Sequence, residues 1–323
     1  MRLAFMLLVC ISVALQARVI TDDYGREVQI PEKITKIYAS SPPLTMSLLA
    51  FDPELISAIN RPWNEMQKAY VGSSVDKPVA GGFFGQGQRP NFEVLAHSKP
   101  DVIIMWGRMN GAQNVVQKLS KLGIAVLMVR NDSIKDLISQ FELYAKLTGN
   151  TQRAKELIDY TQETLSLIES LQDKLAQHKP VRYYFAEGVD GLFSECKGSF
   201  HLEPFTYSGA VNALDCEMSS NYGMEKMSME SIVMADPDVI VAMEPFFVEN
   251  IKQNAHFKHL RAVRDKEVYL VPSLPFNYIS RPPSFMRLMG IRWLIHNFYP
   301  ELLEISLDEE QKRFEKIFFK KTK

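Results

Sequence analysis

Cysteine is scarce in this chain, an excess of either charge is missing, and only one stretch is apolar for long. Three cysteines among 323 residues are too few for a disulfide-dominated scaffold. A chain of this length buries a sizeable core without one. Lysine plus arginine total 37 against 38 aspartate plus glutamate, a net charge of −1. That balance leaves no bulk electrostatic grip on nucleic acid. Nor is there a polybasic tract for an anionic membrane, although the chain closes on Lys320-Lys321-Thr322-Lys323. The Gly-x-Ser-x-Gly elbow, the Walker loop and the Rossmann glycine fingerprint are all missing, and Gly85-Gln86-Gly87 lacks the helix a dinucleotide loop needs. A secreted α/β enzyme is therefore disfavoured. His-x-x-x-His and Cys-x-x-Cys pairs are also missing, which argues against a ready-made zinc site.

What is present is ordinary for a globular protein: 46% hydrophobic and 23% charged residues. The length suggests about two domains. The long apolar run lies at the start. Arg2 precedes Leu3 to Leu15, small residues follow, and polar sequence begins at Arg18. This is the layout of a cleavable secretory signal, with cleavage expected after Ala17. The run is shorter than the ~20 residues of a spanning helix. Reading Leu7-Leu8-Val9-Cys10 as a lipoprotein box is the alternative. The mature protein is therefore expected to be soluble and exported. Without the signal two cysteines remain, Cys196 and Cys216. In an oxidising compartment they form a disulfide or stay as buried thiols, and the sequence leaves both open.

Along the chain, Ile34 to Ala39 and Leu55 to Asn60 read as short strands. Asp101 to Trp106 and Ile124 to Val129 read as strands buried on both faces, with a helix from Gln113 to Leu122 between them. This is βαβ grammar. Two amphipathic helices follow, Ile134 to Gly149 and Thr151 to Gln177. The second has no Gly or Pro and carries Ala154, Leu157, Ile158, Thr161, Leu165, Ile168, Leu171 and Leu175 at helical spacing. After Pro180 the α/β pattern restarts with strands at Val181 to Ala186, Asp238 to Met243 and Glu267 to Val271. Helices are expected at Glu203 to Leu214, Met229 to Ala235, Asn250 to His259, Phe285 to Phe298 and Asp308 to Phe319.

An internal echo organises these elements. Glu93-Val94-Leu95-Ala96-His97-Ser98-Lys99-Pro100-Asp101-Val102-Ile103-Ile104 matches Glu230-Ser231-Ile232-Val233-Met234-Ala235-Asp236-Pro237-Asp238-Val239-Ile240-Val241 in pattern. The copies flank the long helix. The expected fold class is α/β, with two Rossmann-like lobes joined by one long backbone helix. The expected divisions are a signal at 1–17, an N-terminal lobe at 18–149, the connecting helix at 150–178 and a C-terminal lobe with terminal helices at 179–323.

With these motifs the chain resembles the class III, helical-backbone periplasmic substrate-binding proteins of ABC importers, the iron-siderophore and vitamin B12 type. Thr21-Asp22-Asp23-Tyr24-Gly25-Arg26-Glu27-Val28, the two Pro-Asp motifs ahead of the buried strands, and Leu260 to Tyr269 carry the resemblance, which covers most of the mature chain. Gly81 to Asn91 and Ser280 to Gly290 resemble a subgroup described as metal-chelate binders. The resemblance implies capture of a metal chelate, foremost a ferric one, with no intrinsic cofactor and no chemistry. Delivery would be to an inner-membrane permease. A molybdate or tungstate binder of the same fold is the alternative. It further implies that Glu93 and Glu230 dock to permease arginines. Their place in the first turn of a helix also suits the macrodipole. A monomer is expected.

Ligands of open α/β sheets lie beyond the carboxyl ends of the strands. The loops there offer Arg61, Arg89, Arg108 and Arg281 as guanidinium forks for anionic oxygens. They also offer Trp63, Phe84, Trp106 and Tyr278 as flat walls. Each arginine has a plainer alternative as a pairing group within its lobe. For direct metal contact, Tyr278 is a hard oxygen donor for Fe(III) and His201 a candidate to complete the shell.

Overall fold

The computed structural model describes residues 17–72, 76–83, 90–108, 111–219 and 223–320. The expected signal segment lies outside the described residues except for Ala17. Among the described residues no helix is long and apolar enough to cross a membrane.

The chain opens with an antiparallel hairpin, β1 (Ala17–Thr21) and β2 (Glu27–Pro31). Its turn explains the Thr-Asp-Asp-Tyr-Gly-Arg motif. The buried Asp22 carboxylate accepts from the backbone of Tyr24 and Arg26, from the Arg26 guanidinium, and from Met128 N at 2.9 Å. One carboxylate thus closes the turn and clips the hairpin to the first sheet. That sheet is parallel, in the order β3 (Ile37–Ala39), β4 (Val102–Trp106), β5 (Ala125–Val129). Between its strands run α1 (Pro42–Phe51), α2 (Glu65–Val71), α3 (Phe92–Ser98) and α4 (Ala112–Lys121). Ile56 and Ile59, expected in a strand, make only isolated parallel bridges to Ile37 and Val79.

Helices α5 (Asp136–Thr148) and α6 (Thr151–Gln177) follow. Asn150 caps α6 by accepting from Arg153 N. At 27 residues and ~1.5 Å per residue, α6 is about 40 Å long. The second half contains β6 (Arg182–Ala186), β7 (Phe193–Ser194), α7 (Glu203–Tyr207), β8 (Val211–Asn212), β9 (Glu225–Lys226), α8 (Met229–Ala235) and β10 (Val239–Ala242). It ends with α9 (Pro245–Asn250), α10 (Arg261–Arg264), β11 (Val268–Leu270), α11 (Arg287–Phe298) and α12 (Leu307–Phe318). Its parallel sheet runs β11-β10-β6-β8, while β7 and β9 pair antiparallel.

Two expected helices are corrected. The one beginning at Glu203 stops at Tyr207, because Gly209 turns into the left-handed region at φ 73° and the chain then extends as β8 beside β6. The one placed over Asn250 to His259 instead spans Pro245–Asn250. Beyond it the Asn254 side chain accepts from His256 N and Phe257 N, an Asx-type turn that competes with helix.

The strands alternate between two cores, as period-two geometry requires. Val102, Ile104 and Trp106 of β4 join one cluster and Ile103 and Met105 another. Tyr183 and Phe185 of β6 and Val239 and Val241 of β10 enter that same first cluster, whereas Tyr184, Ala186 and Ile240 enter a third. Both sheets therefore turn one face to a single shared core, which includes Leu157, Tyr160, Ile168, Leu171 and Leu175 of α6. The sequence echo is structural as well. Both α3 and α8 have seven residues, side-chain caps at Asn91 and Ser228, and left-handed stops at Lys99 and Asp236. In each copy the next aspartate, Asp101 or Asp238, accepts backbone N–H groups from the neighbouring strand's start, at Lys36 and at Arg182.

Cys196 and Cys216 form a disulfide across 20 residues. Cross-linking a loop of this size stabilises by ~3 kcal/mol. Removing both thiols in a Cys196→Ser, Cys216→Ser double variant lowers the unfolding free energy by about that amount in urea titrations. An unchanged midpoint in the double variant contradicts this assignment.

Candidate functional site

Segments at or after the carboxyl ends of β3, β4 and β5 in one half meet segments that follow β7 and β11 in the other, and the cleft lies at this junction. Ser40 and Ser41 follow β3 and lead into α1, whose Pro42 and Pro43 occupy the first positions without a side-chain cap. The hydroxyls of Ser40 and Ser41 are buried without a hydrogen-bond partner, and so is the indole Nε1 of Trp63. Asn60 locks the adjoining loop. Its amide donates to Ala39 O and Gly81 O, and its carbonyl oxygen accepts from Thr45 Oγ1 at 2.6 Å. Pro42, Thr45, Met46, Asn60, Arg61 and Trp63 line a cavity of about 10 Å³ that Pro282 closes from the other half. A cavity of that size holds about one water molecule.

Four contacts draw the halves together around this cleft. Arg61 Nη2 donates to Arg281 O at 3.5 Å. Trp63 meets Phe276 edge-on at 5.5 Å, and Trp106 meets Phe200 at 5.6 Å. Glu203, ion-paired with Arg287, accepts from Ser133 Oγ at 2.6 Å and Ile134 N at 2.9 Å.

The candidate residues divide into separate roles. Arg61 has no carboxylate partner among the described residues and borders the cavity. Trp63 also lines it. Arg108 is 64% exposed and pairs loosely with Asp132 at 3.4 Å. Trp106 is nearly buried, its indole donating to Asp132 Oδ1 at 3.1 Å. Phe84 and Arg89 lie outside the described residues. Glu93 and Glu230 are exposed in the first turns of α3 and α8.

Arg281 takes the plainer of its two readings. Its Nε donates to Glu187 Oε1 at 2.6 Å, and its Nη2 donates to Glu187 Oε2 at 3.1 Å and to Glu195 Oε1 at 2.5 Å. Glu187 follows β6 directly and Glu195 follows β7, so two strand ends aim carboxylates at one guanidinium. Glu195 was missed, because beside Cys196 nothing in the sequence sets it apart from a surface acid. Burial first, and then the nearby Glu187 charge, push the Glu195 carboxyl up to about 7.

Neither residue expected to touch metal is presented as a ligand. Tyr278 is 3% exposed within the shared core, and burial raises its phenol above the ordinary range. A protonated, enclosed phenol is not an open oxygen donor. His201 is buried, with Nδ1 hydrogen-bonded to Ser280 Oγ. Among the described residues no group of three or more His, Cys, Asp or Glu side chains gathers as a metal site.

Burial, helped by the charges of Arg281 and Arg287, lowers the His201 imidazole from 6.5 to about 3. The unfolded chain binds one more proton than the native protein between those values, so native stability is lost as pH falls below about 6.5. The stability lost between pH 7 and pH 5 is about 2 kcal/mol smaller in His201→Asn than in the wild type, measured by urea unfolding at each pH. Equal losses in the two proteins count against a neutral buried histidine.

A family model described as periplasmic binding protein matches residues 56–274. Among curated relatives, the molybdate-binding protein MolA of Haemophilus influenzae is 22% identical, over 92% of this chain and 89% of its own length. The Fe(3+)-citrate-binding protein YfmC of Bacillus subtilis is 27% identical over 64% of this chain, and the match spans 62% of YfmC. Among solved structures, an ABC transporter solute binding protein from Sulfurospirillum deleyianum superposes with a TM-score of 0.85 at 29% identity, covering 94% of this chain and 95% of that one. MolA bound to molybdate superposes with a TM-score of 0.77 at 20% identity, over 95% and 99% of the two chains.

Proposed function

This chain belongs to the periplasmic binding protein family, and from that premise we propose that its cleft captures a compact oxyanion, of the molybdate or tungstate kind. The family membership makes it the solute-binding component of an ABC importer and not an enzyme. The oxyanion reading rests on one observation. At and beside the cavity, the Trp63 indole N–H and the Ser40 and Ser41 hydroxyls are buried without partners, and the exposed Arg61 guanidinium has the Arg281 carbonyl oxygen but no carboxylate as acceptor among the described residues. Buried polar groups without partners are costly, and an indole N–H, two hydroxyls able to donate and a guanidinium without an acid together suit an anionic ligand.

The cavity's position supports the same reading. The cavity has donors on one wall and Pro282 of the other half opposite, so an anion held at Arg61 would be clasped between the halves. The flat walls a chelate needs are mostly spent elsewhere, since Trp106, Phe276 and Tyr278 are buried. The likeness to MolA also runs nearly the full length of the chain, whereas that to YfmC does not.

Titrating the mature protein with sodium molybdate and with ferric citrate, read by tryptophan fluorescence, tests this. One-to-one molybdate binding that weakens by about tenfold or more in Arg61→Ala is expected, as for loss of a charge-assisted hydrogen bond. Tight ferric citrate binding with no response to molybdate or tungstate sinks the oxyanion reading in favour of a metal chelate.

The reading includes export by residues 1–17 and docking of one acid from each half, Glu93 and Glu230, to a basic permease surface. The matched exposure and helix position of the two acids support it. Charge reversal at a docking rim costs association strongly. Glu93→Arg and Glu230→Arg therefore each reduce ligand uptake by cells about tenfold or more, with ligand affinity in solution unchanged. Uptake that survives the double reversal excludes this docking mode.

A further inference from the structure

Arg281 at the cleft is shared by two buried carboxylates. Glu187 is 2% exposed and Glu195 is fully buried, whereas the Arg281 side chain keeps 28% of its surface open. One guanidinium neutralises one carboxylate. With both acids ionised the cluster carries one uncompensated negative charge out of contact with water, which is expensive. Among the described residues no other cation pairs with either carboxylate. His201 nearby stays neutral, and Arg287 is committed to Glu203. Tyr183, beneath the cluster on β6, is itself a buried, protonated phenol. Glu225 on β9 turns its carboxylate to Ser219 instead. The groups holding Glu195 are Ser199 Oγ, which donates to Oε2 at 2.6 Å, and Met224 N, which donates to Oε1 at 3.2 Å. Gly223 packs so close that a Cβ there would lie 2.0 Å from Glu195 Oε2. The Gly223 backbone thus packs directly against the carboxylate.

The cluster also borders the ligand. Arg281 O receives the Arg61 guanidinium, and the next residue, Pro282, closes the cavity. An anion held at Arg61 therefore adds negative charge beside a network that already has one carboxylate too many.

We propose that Glu195 couples capture to a proton: as an anion enters the cleft, the Glu195 carboxylate takes up one proton from solvent and shares it with Glu187, leaving Arg281 paired to a single negative charge. Glu195 is a positioning residue in this scheme and touches no ligand. The inference rests on the oxyanion reading and deepens it, because it fixes the sign of charge the cleft selects. Glu195 is already drawn up to about 7 without ligand. A raised value in the bound state places the linkage above that pH. Affinity for an anion is then greatest below about pH 7 and falls by as much as tenfold per pH unit above it. A cationic ligand reverses the sign, expelling the proton and binding better as pH rises.

The experiment is calorimetric titration with sodium molybdate at pH 7.5, in two buffers of very different ionisation enthalpy, repeated from pH 6 to 9. Wild-type protein is expected to take up a substantial fraction of one proton per anion. Glu195→Gln, which keeps the shape but cannot titrate, is expected to take up none and to bind with an affinity that no longer varies with pH. Glu187→Gln tests the same network if the first variant folds poorly. With one carboxylate left for Arg281, Glu195 stays ionised and proton uptake is lost as well. Binding heat with no proton uptake, or with uptake that persists in both variants, overturns this inference and leaves the oxyanion reading standing. Proton release on binding overturns it too. No binding heat at any pH overturns both.

Discussion

Both sheets lean on one stripe of side chains, the face of α6 that carries Leu157, Tyr160, Thr164, Ile168, Leu171 and Leu175. The helix satisfies its own backbone over 27 residues and contains neither glycine nor proline to bend it. Each end is gripped by a different half. At the start, Arg153 reaches back to cap the last turn of α1, donating to Ala50 O at 2.5 Å and Phe51 O at 3.2 Å. In the middle, Tyr160 donates to Glu310 of α12 at 2.6 Å, with the Arg292 guanidinium 4.8 Å above its ring. Near the end, Leu175 packs under Gly209, beside β8. A stiff rod buried along its length cannot serve as a wide hinge. Cleft width is therefore set by the short contacts at its rim and not by bending of the connection.

That constraint gives the rim contacts their weight. Trp63 against Phe276 and Trp106 against Phe200 close the two sides with aromatic edges, each a modest, reversible interaction. Glu203 binds the halves more firmly, because its carboxylate is shared by Arg287 and by Ser133 and Ile134 of the opposite half. Breaking a buried charge network of this kind leaves an unpaired charge, whereas parting two aromatic edges exposes only apolar surface. The contacts around Arg61 and Trp63 are thus the weaker ones across the cleft, and the Glu203 junction is the stronger.

The fold was largely legible because periodicity and stop signals are local. The helix from Thr151 to Gln177 and the one from Met229 to Ala235 fall where apolar spacing puts them. The echoed Pro-Asp motifs mark two equivalent helix–strand junctions. The helix beginning at Glu203 failed because Gly209 and the pairing of β8 with β6 outweigh a pattern that is helix-compatible on paper. The site was harder to read, since a sequence shows that an arginine exists but not which carboxylate holds it. Arg153, Arg281, Arg287 and Arg292 are all engaged with carboxylates or backbone carbonyls, and Arg61 alone of the cleft arginines described lacks an acid. Tyr278 and His201 likewise sit near the right loops but point into packed interior, a distinction set by tertiary contacts.

Structure and chemistry meet at the residue before the disulfide. Glu195 is held on one side by Cys196, whose bond to Cys216 anchors the strand exit, and on the other by the Gly223–Met224 backbone. Asn212 of β8 adds a donor to Glu195 O at 2.8 Å. A carboxylate with a perturbed proton affinity must be kept from relaxing toward solvent, because an exposed glutamate returns to its ordinary behaviour. The covalent link therefore does more than stabilise the lobe. It stands next in the chain to one of the two acids that share Arg281, whereas Arg61 at the same cleft has no acid among the described residues.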